Sequence, residues 1–352
     1  MSRFFTDKLA SLTPYTPGEQ PRDRAYVKLN TNESPFPPSP GVAAAVASEC
    51  GRLQLYSDPE STALRQELAR IYGVRPEQVV VTNGSDEALN FAFMAFADEK
   101  APLVFPDITY GFYPVFAQLN NIPYTQVPLK ADFSIDPADY MRVGGTVVIA
   151  NPNAPTGLCL SLAQVEQIVK SNPDNVVIID EAYVDFGGES AVSLVDRFDN
   201  LLVIQTFSKS RSMAGARLGF AIGNEKLIAD LNTIRYSTNP YNVNRMTESA
   251  GVAALKENGY YMDNAQTIIR NREWTAQQLK ALGFTVLDSK ANFLFAASDR
   301  IDGGTLYWEL KARGVLVRHF AGERTAPFVR ITIGTREQME ILMKNIKEIL
   351  GE

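Results

Sequence analysis

The sequence contains few of the residues on which several common kinds of active site depend. Its 352 residues include a single histidine, His319, and only two cysteines, Cys50 and Cys159. A zinc site of histidine and cysteine ligands would need nearly all of them, and a Ser-His-Asp hydrolase would have to use His319. Two cysteines provide no disulfide framework, so we expect a protein of the reducing cytoplasm.

Motifs for nucleotides, membranes and nucleic acids are also missing. No two glycines are spaced as Gly-x-Gly and no glycine precedes a lysine, which excludes the dinucleotide fingerprint and the Walker A loop. No apolar run approaches the ~20 residues of a membrane helix, and the start has no apolar segment typical of a signal peptide. The net charge of −6 argues against nucleic acid as a partner, because phosphates are bound by a positive field.

Short apolar runs alternate with helical segments over much of the chain, as in "QVVVT", "TVVIA", "NVVIID" and "LLVIQ". Unbroken runs of this kind are typical of strands that are buried on both faces of a mostly parallel sheet. The alternation therefore predicts an α/β fold. After Asn244 long helices and then mixed strands and helices follow, which predicts a smaller α+β domain.

Polar residues follow four of the predicted strands, in the stretches "NGSDE", "NPNAPTG", "DEAY" and "TFSKS". Ligands of open α/β sheets bind beyond the carboxyl ends of the strands. Each stretch taken alone could be an ordinary turn or helix cap. Four polar strand ends together indicate a functional site.

Lys209 lies in the last of these stretches, between Ser208 and Ser210 and eight residues before Arg217. A lysine that is partly desolvated and near other cations becomes a usable amine nucleophile, although a lysine in a solvated turn is the commoner case. Asp180 ends a buried strand, where a carboxylate is unfavourable unless a cation meets it. A helix cap or an internal ion pair would also explain Asp180.

The stretch from Gly84 to Asp86 joins a strand to a helix and has the small residues that bring a phosphate close to a helix N-terminus. The guanidinium of Arg217 suits the same ligand. Ser85 or Asp86 could instead be a simple N-cap.

Taken together, these residues describe one ligand, an aromatic aldehyde with a basic ring nitrogen and a phosphate, which is pyridoxal 5′-phosphate. Lys209 would form a Schiff base with the aldehyde and Asp180 would keep the ring nitrogen protonated. Tyr183, three residues after Asp180, could donate a hydrogen bond to the same ring.

The stretches "NPNAPTG", "DEAY" and "TFSKSRSMAGARLGF" resemble motifs of the pyridoxal-phosphate aminotransferases of the aspartate aminotransferase fold. The resemblance covers essentially the whole chain. It implies a mostly parallel seven-stranded sheet flanked by helices, in a large cofactor-binding domain, plus a smaller α+β domain. The expected limits are an N-terminal arm over 1–30 that packs with the small domain, the large domain over 31–255 and the small domain over 256–352.

Within that superfamily, further stretches are similar to those of the histidinol-phosphate aminotransferases. These are "LNTNESPFPPSP", "TNGSDEAL", "PDITYGFYPV", "VRHF" and "VRITIGTREQM". The resemblance implies transamination of histidinol phosphate with 2-oxoglutarate, in histidine biosynthesis, by ping-pong half-reactions in which Lys209 is also the general base. Relatives of the same fold that act on aromatic amino acids or decarboxylate phosphothreonine remain alternatives. A non-catalytic cofactor-binding regulator is disfavoured by the acidic charge and the lack of an added DNA-binding segment.

The resemblance also assigns roles by position. Tyr110 would stack on the cofactor ring, Tyr183 would bind its phenolic oxygen, and Tyr56 would reach the neighbouring site of a homodimer. The cofactor phosphate would be surrounded by Ser85, Asp86, Thr206, Ser208 and Arg217, next to Gly84. The substrate would be bound by Tyr15, Asn30, Tyr56, Tyr241, Arg318 and Arg330, with Arg330 holding its anionic group.

Two positions depart from the family pattern. Ala154 stands where an asparagine normally donates to the phenolic oxygen of the cofactor, so either Asn153 substitutes for it or Tyr183 acts alone. The usual Tyr-Pro-Asp is here Tyr56-Ser57-Asp58, which keeps the tyrosine but loosens the loop.

Overall fold

A computed structural model describes residues 2–10 and 12–352 of the chain. Its strands are β1 (Val27–Lys28), β2 (Val79–Thr82), β3 (Leu103–Pro106), β4 (Tyr124–Val127), β5 (Thr146–Ala150), β6 (Val177–Asp180), β7 (Leu201–Thr206), β8 (Gly219–Gly223), β9 (Phe284–Val286), β10 (Phe293–Ser298), β11 (Val315–Leu316), β12 (Arg318–His319) and β13 (Phe328–Thr332). Its α-helices are α1 (Pro40–Glu49), α2 (Thr62–Tyr72), α3 (Ser85–Phe96), α4 (Phe112–Leu119), α5 (Leu162–Ser171), α6 (Glu225–Thr238), α7 (Arg245–Lys256), α8 (Asn258–Ala281), α9 (Gly303–Ala312) and α10 (Arg336–Leu350).

The larger sheet has seven strands in the order β2-β8-β7-β6-β5-β3-β4. Strand β8 is antiparallel to both of its neighbours, and the other pairs are parallel. Every residue of β5, β6 and β7 is buried, as expected for apolar runs with helices on both sides. Helices α2, α5 and α7 pack on one face of the sheet and α3, α4 and α6 on the other. The predicted mostly parallel seven-stranded sheet is confirmed.

The smaller sheet is antiparallel, with the strand order β12-β13-β10-β9. Helices α8, α9 and α10 cover it and contribute Ile268, Leu306 and Leu342 to a separate apolar core. Strand β1 pairs with β11, so the N-terminal segment is hydrogen-bonded to the part of the chain beside this sheet. The smaller α+β unit is thus confirmed, while the exact domain limits stay a prediction.

Local signals located β2, β5, β6 and β7 but not every element of the fold. Helix α10 begins with a capping box formed by Thr335 and Gln338. Helix α1 was not predicted. The half-exposed edge strand β4 was not predicted either, because it has no continuous apolar run. The apolar stretch "GVLVRHF" is divided between β11 and β12, which belong to different sheets. No described helix is long and apolar enough to span a membrane.

Candidate active site

The carboxyl ends of β2, β5, β6 and β7 surround a cavity of about 180 Å³. These strands run in the same direction, so the polar residues that follow them meet at one edge of the sheet. Nine of the predicted cofactor residues line this cavity: Ser85, Asp86, Tyr110, Asp180, Tyr183, Thr206, Ser208, Lys209 and Arg217. The fold therefore brings together what the sequence places up to 132 residues apart.

Lys209 is a partly buried amine at the centre of this group. Among the described residues, its Nζ donates one long hydrogen bond, of 3.4 Å, to the carbonyl of Thr31, and it lies 5.8 Å from the centroid of the Tyr183 ring. Glu33 also lines the cavity, and its carboxylate is paired with Lys28 at 2.6 Å. Glu33 was not predicted, since it lies in a proline-rich loop with no periodic signal.

One end of the cavity is built to receive an anion. Gly84 precedes helix α3 with φ of 79°, and a Cβ at this position would lie 2.6 Å from Nη2 of Arg217. Only glycine allows the guanidinium to lie so close to the helix N-terminus. Arg217 donates to Ser208 Oγ at 3.4 Å and to the Asp86 carboxylate at 3.0 Å. The interpretation of Ser85 or Asp86 as the N-cap is wrong, because Gly84 holds that position and has no side chain to cap the helix.

Asp180 lies at the other end, only 4% exposed. Burial raises the pKa of its carboxyl to about 6, although a hydrogen bond from Tyr113 opposes the shift and the charge of Asp86 adds to it. The Tyr113 hydroxyl donates to Oδ2 at 2.8 Å, and burial raises the pKa of Tyr113 well above its usual value. No role was predicted for Tyr113, although it lies in the stretch "PDITYGFYPV", three residues after Tyr110. A cation beside Asp180 would offset the unfavourable free energy of burying its negative charge.

Two tyrosines form a wall of the cavity. Tyr110 donates to Asp86 Oδ1 at 2.8 Å, and burial raises the pKa of this phenol well above its usual value. Tyr183 packs edge-on against Phe293, with the ring centroids 5.1 Å apart. The Asn32 amide donates to the Tyr183 hydroxyl at 2.9 Å. Both tyrosines therefore line the cavity, and a hydrogen bond at each hydroxyl group fixes the orientation of the ring.

The structure corrects the prediction for Asn153, which does not line this cavity. Its amide oxygen accepts from Thr109 at 2.8 Å, and its amide nitrogen donates to the Ile108 carbonyl and to Thr156, each at 3.0 Å. Both N–H groups of the amide are therefore used to hold the loop. Ala154, the next residue, does line the cavity, so Asn153 does not replace the missing asparagine.

A second cavity, of about 780 Å³, adjoins the first and shares Tyr110, Tyr183 and Lys209 with it. The predicted substrate residues Tyr15, Asn30, Arg318 and Arg330 all line this second cavity. Burial lowers the pKa of Arg330, and so does the charge of Arg318, while the nearby tyrosines raise it.

Arg318 and Arg330 are directly opposite each other on the neighbouring strands β12 and β13. Like charges in such a pair are unfavourable unless an anion lies between them. Arg318 donates to the carbonyls of Thr16 and Pro17 at 3.2 and 3.4 Å, and Arg330 donates to the Asn30 carbonyl at 2.9 Å. The Nε of Arg330 is buried without a partner among the described residues. The pair is therefore a good site for a phosphate or carboxylate.

Tyr56 and Tyr241 line neither of these two cavities. Their rings stack at a centroid distance of 4.4 Å on the surface, with exposed fractions of 76% and 40%. Tyr241 thus shares the exposed position of Tyr56, and its assignment to the substrate pocket stays a prediction.

Comparisons with known proteins agree with this geometry. The family model described as aminotransferase class I and II matches residues 24–346. The chain is 50% identical to histidinol-phosphate aminotransferase of Brachyspira hyodysenteriae, over 99% of both chains. It is 48% identical to histidinol-phosphate aminotransferase 2 of Dechloromonas aromatica, over the full length of both.

Among solved structures, histidinol-phosphate aminotransferase of Sinorhizobium meliloti in complex with pyridoxal-5′-phosphate superposes with a TM-score of 0.89. That similarity covers 100% of this chain and 98% of the other, at 24% identity, and it supports the fold. The family match over most of the chain and the near-complete alignment with its relatives are consistent with the site described above. That site contains Lys209, Asp180 and two groups of anion-binding residues. This chain is a member of the class I and II aminotransferase family.

Proposed function

We propose that this protein is a pyridoxal 5′-phosphate-dependent aminotransferase that transfers the amino group of histidinol phosphate to 2-oxoglutarate, in histidine biosynthesis. The observation that carries the proposal is the position of Lys209 between two anion sites. On one side lie Arg217 and the N-terminus of α3, and on the other lie Arg318 and Arg330. The full-length relatives that carry the name histidinol-phosphate aminotransferase support the choice of substrate.

The first cavity fits the cofactor by its donors and by its shape. Arg217, Ser208 and the uncapped N-terminus of α3 would hold the phosphate, for which the absent side chain of Gly84 leaves room. The buried carboxylate of Asp180 would hold the protonated ring nitrogen. When bound, pyridoxal phosphate supplies an aldehyde that takes up the amino group and a ring that accepts the electrons of the broken Cα–H bond.

The residues of the chain supply binding and proton transfer. Nζ of Lys209 has one weak partner in the described part of the chain, so it is available as the base that takes the proton from the substrate Cα. Tyr110 and Tyr183 line the cavity and would hold the cofactor ring in place. Because Arg318 and Arg330 would hold the anionic group of the substrate at a fixed position, the substrate enters in one orientation.

The arginine pair on β12 and β13 would serve both half-reactions. It would bind the phosphate of histidinol phosphate in the first and a carboxylate of 2-oxoglutarate in the second, since a guanidinium accommodates either. A carboxylate of an aromatic amino acid or the phosphate of phosphothreonine would also fit these charges. The similarity to full-length histidinol-phosphate aminotransferases is what favours the first substrate.

We further propose a cytoplasmic homodimer in which the exposed pair of Tyr56 and Tyr241 extends toward the site of the partner subunit. The exposed fraction of 76% at Tyr56 supports this, because large aromatic side chains on a surface mark contact regions. The domain limits proposed are the arm over 1–30, the cofactor domain over 31–255 and the small domain over 256–352.

Single half-reactions test the substrate. The holoenzyme is mixed in turn with histidinol phosphate, phenylalanine and phosphothreonine while the absorbance of the cofactor is followed. We expect the fastest conversion with histidinol phosphate; faster conversion with phenylalanine, or release of carbon dioxide from phosphothreonine, would refute the substrate assignment.

Borohydride reduction followed by peptide mapping tests the cofactor site separately. We expect the cofactor on Lys209, and no labelled peptide in Lys209→Ala. The control variant Lys344→Ala, at a lysine 77% exposed on α10, should label as the unmodified chain does. Labelling at another lysine would contradict the proposed site.

A further inference from the structure

Asn32 is a buried residue of the stretch "LNTNESPFPPSP" for which no role was predicted, and it lies directly behind Tyr183. Asn32 is only 1% exposed, and its backbone is in the left-handed region, with φ of 57°. The amide nitrogen lies 2.9 Å from the Tyr183 hydroxyl. We propose that Asn32 is a positioning residue that directs the Tyr183 proton into the cofactor cavity; this inference rests on the proposed function.

The direction of the hydrogen bonds follows from Thr332 on β13. The backbone N–H of Asn32 donates to Thr332 Oγ1 at 2.9 Å, so this oxygen acts as an acceptor. The Thr332 side chain is buried, and the only other partner that it has among the described residues is the Asn32 amide, at 3.0 Å. A buried hydroxyl proton needs an acceptor. Thr332 must therefore donate to the oxygen of this amide.

The orientation of the Asn32 amide is then settled, since only its NH₂ group is left to face Tyr183. An NH₂ group donates and does not accept, so the Tyr183 oxygen accepts this bond. That oxygen makes no other hydrogen bond among the described residues, and Tyr183 lines both cavities. Its own proton is consequently free to be donated to a ligand in the cavity. A chain of bonds polarised in one direction also strengthens its last donor.

This arrangement matters because of Ala154. The methyl group of Ala154 lines the cavity but cannot donate a hydrogen bond, and the amide of Asn153 is used elsewhere. Tyr183 is then the donor available to the phenolic oxygen of the cofactor on this side. If its proton were given to Asn32 instead, the cavity would lose that donor.

The backbone around Asn32 is held in place from two sides. The Asn292 amide donates to the Asn32 carbonyl at 3.0 Å. Two residues earlier, the Asn30 carbonyl accepts from Arg330, which lies two residues before Thr332 on the same strand. The strand that carries the substrate-binding arginine therefore also sets the orientation of Asn32.

The test is a pH titration of the absorbance of the bound cofactor in purified holoenzyme variants. Asn32→Asp replaces the donor with an acceptor, which would take the Tyr183 proton. Thr332→Val removes the hydroxyl that orients the amide without adding a charge. A donor to the phenolic oxygen lowers the pH midpoint of this titration, so we expect both variants to raise the midpoint by about one pH unit, a tenfold change in proton affinity. Thr332→Ser, which keeps the hydroxyl, should retain the original midpoint.

Repeating the changes in a Tyr183→Phe background separates positioning from other effects. Without the Tyr183 hydroxyl, Asn32→Asp and Thr332→Val should no longer move the midpoint. Unchanged midpoints in the Tyr183 background, or shifts of equal size in the Phe background, would overturn the inference. If Asn32→Asp does not fold, Thr332→Val, compared with and without Tyr183→Phe, still tests the inference. Absence of a titrating cofactor in the unmodified protein would instead refute the proposed function.

Discussion

Replacing Asp180 with asparagine should stabilise the apoenzyme and weaken its hold on the cofactor. In the folded chain the pKa of this carboxyl is about 6, against an ordinary value of 3.8, because the group is buried. A difference of roughly two pH units corresponds to about 3 kcal/mol that disfavours the ionised folded protein at neutral pH. Asparagine has nearly the same shape, can still accept from Tyr113, and carries no charge.

The sign of the effect gives it a distinctive pH dependence. The folded Asp180 binds a proton more tightly than the unfolded one, so this group destabilises the fold above pH ~6 and ceases to do so below pH ~4. The advantage of Asp180→Asn should therefore be largest, about 1–3 kcal/mol, at pH 7 to 8 and should vanish as the pH falls through this window.

Urea unfolding of the apoenzyme at several pH values measures the difference. Asp288→Asn, at a carboxylate 85% exposed, is the matched control and should change little. Cofactor affinity is measured in parallel, and we expect it to fall for Asp180→Asn alone. An apoenzyme that is less stable at pH 7.5 than the unmodified chain, or an advantage that grows in acid, would refute the reasoning.

Three further changes have expected outcomes. Gly84→Ala adds a Cβ 2.6 Å from Nη2 of Arg217. Strain of ~1–3 kcal/mol should lower the cofactor affinity, measured by equilibrium titration, by roughly 10-fold or more. Gly215→Ala, where a Cβ meets nothing within 4 Å, should leave the affinity unchanged. Arg330→Gln should raise KM for both substrates about 10- to 100-fold, because a charge-assisted bond is lost. KM values equal to those of the unmodified enzyme would contradict the role of Arg330. Ala154→Asn should lower the pH midpoint of the cofactor absorbance, since it adds a donor to an ionised oxygen, and an unchanged titration would count against this.

Much of the first cavity could be predicted from the sequence because its residues lie at the ends of apolar runs. A run such as "NVVIID" indicates both a buried strand and the position at which its last polar residue emerges, so Asp180 and Lys209 could be assigned to one edge of the sheet. Asn153 could not be assigned in this way. Side chains alternate in direction and compete for partners, and its neighbour Ala154 is the one that faces the cavity.

Contacts between distant segments were beyond prediction. The bond from Tyr113 to Asp180 joins residues 67 positions apart, and the bond from Asn32 to Tyr183 joins residues 151 positions apart. Neither pair has a periodic signal, because both depend on how helices and loops pack on the sheet. The same holds for Tyr241, whose ring is held at the surface by its stacking with Tyr56.

The sequence by itself determined the α/β class, the strand ends that carry the chemistry and the family resemblance, because each of these depends on short stretches of local pattern. Tertiary structure alone decided that Arg318 and Arg330 are directly opposite each other, which depends on the register of β12 and β13. It also decided which way the hydrogen bonds run from Thr332 through Asn32 to Tyr183. Register and hydrogen-bond direction depend on which groups meet after the chain has folded, and local sequence does not specify those partners.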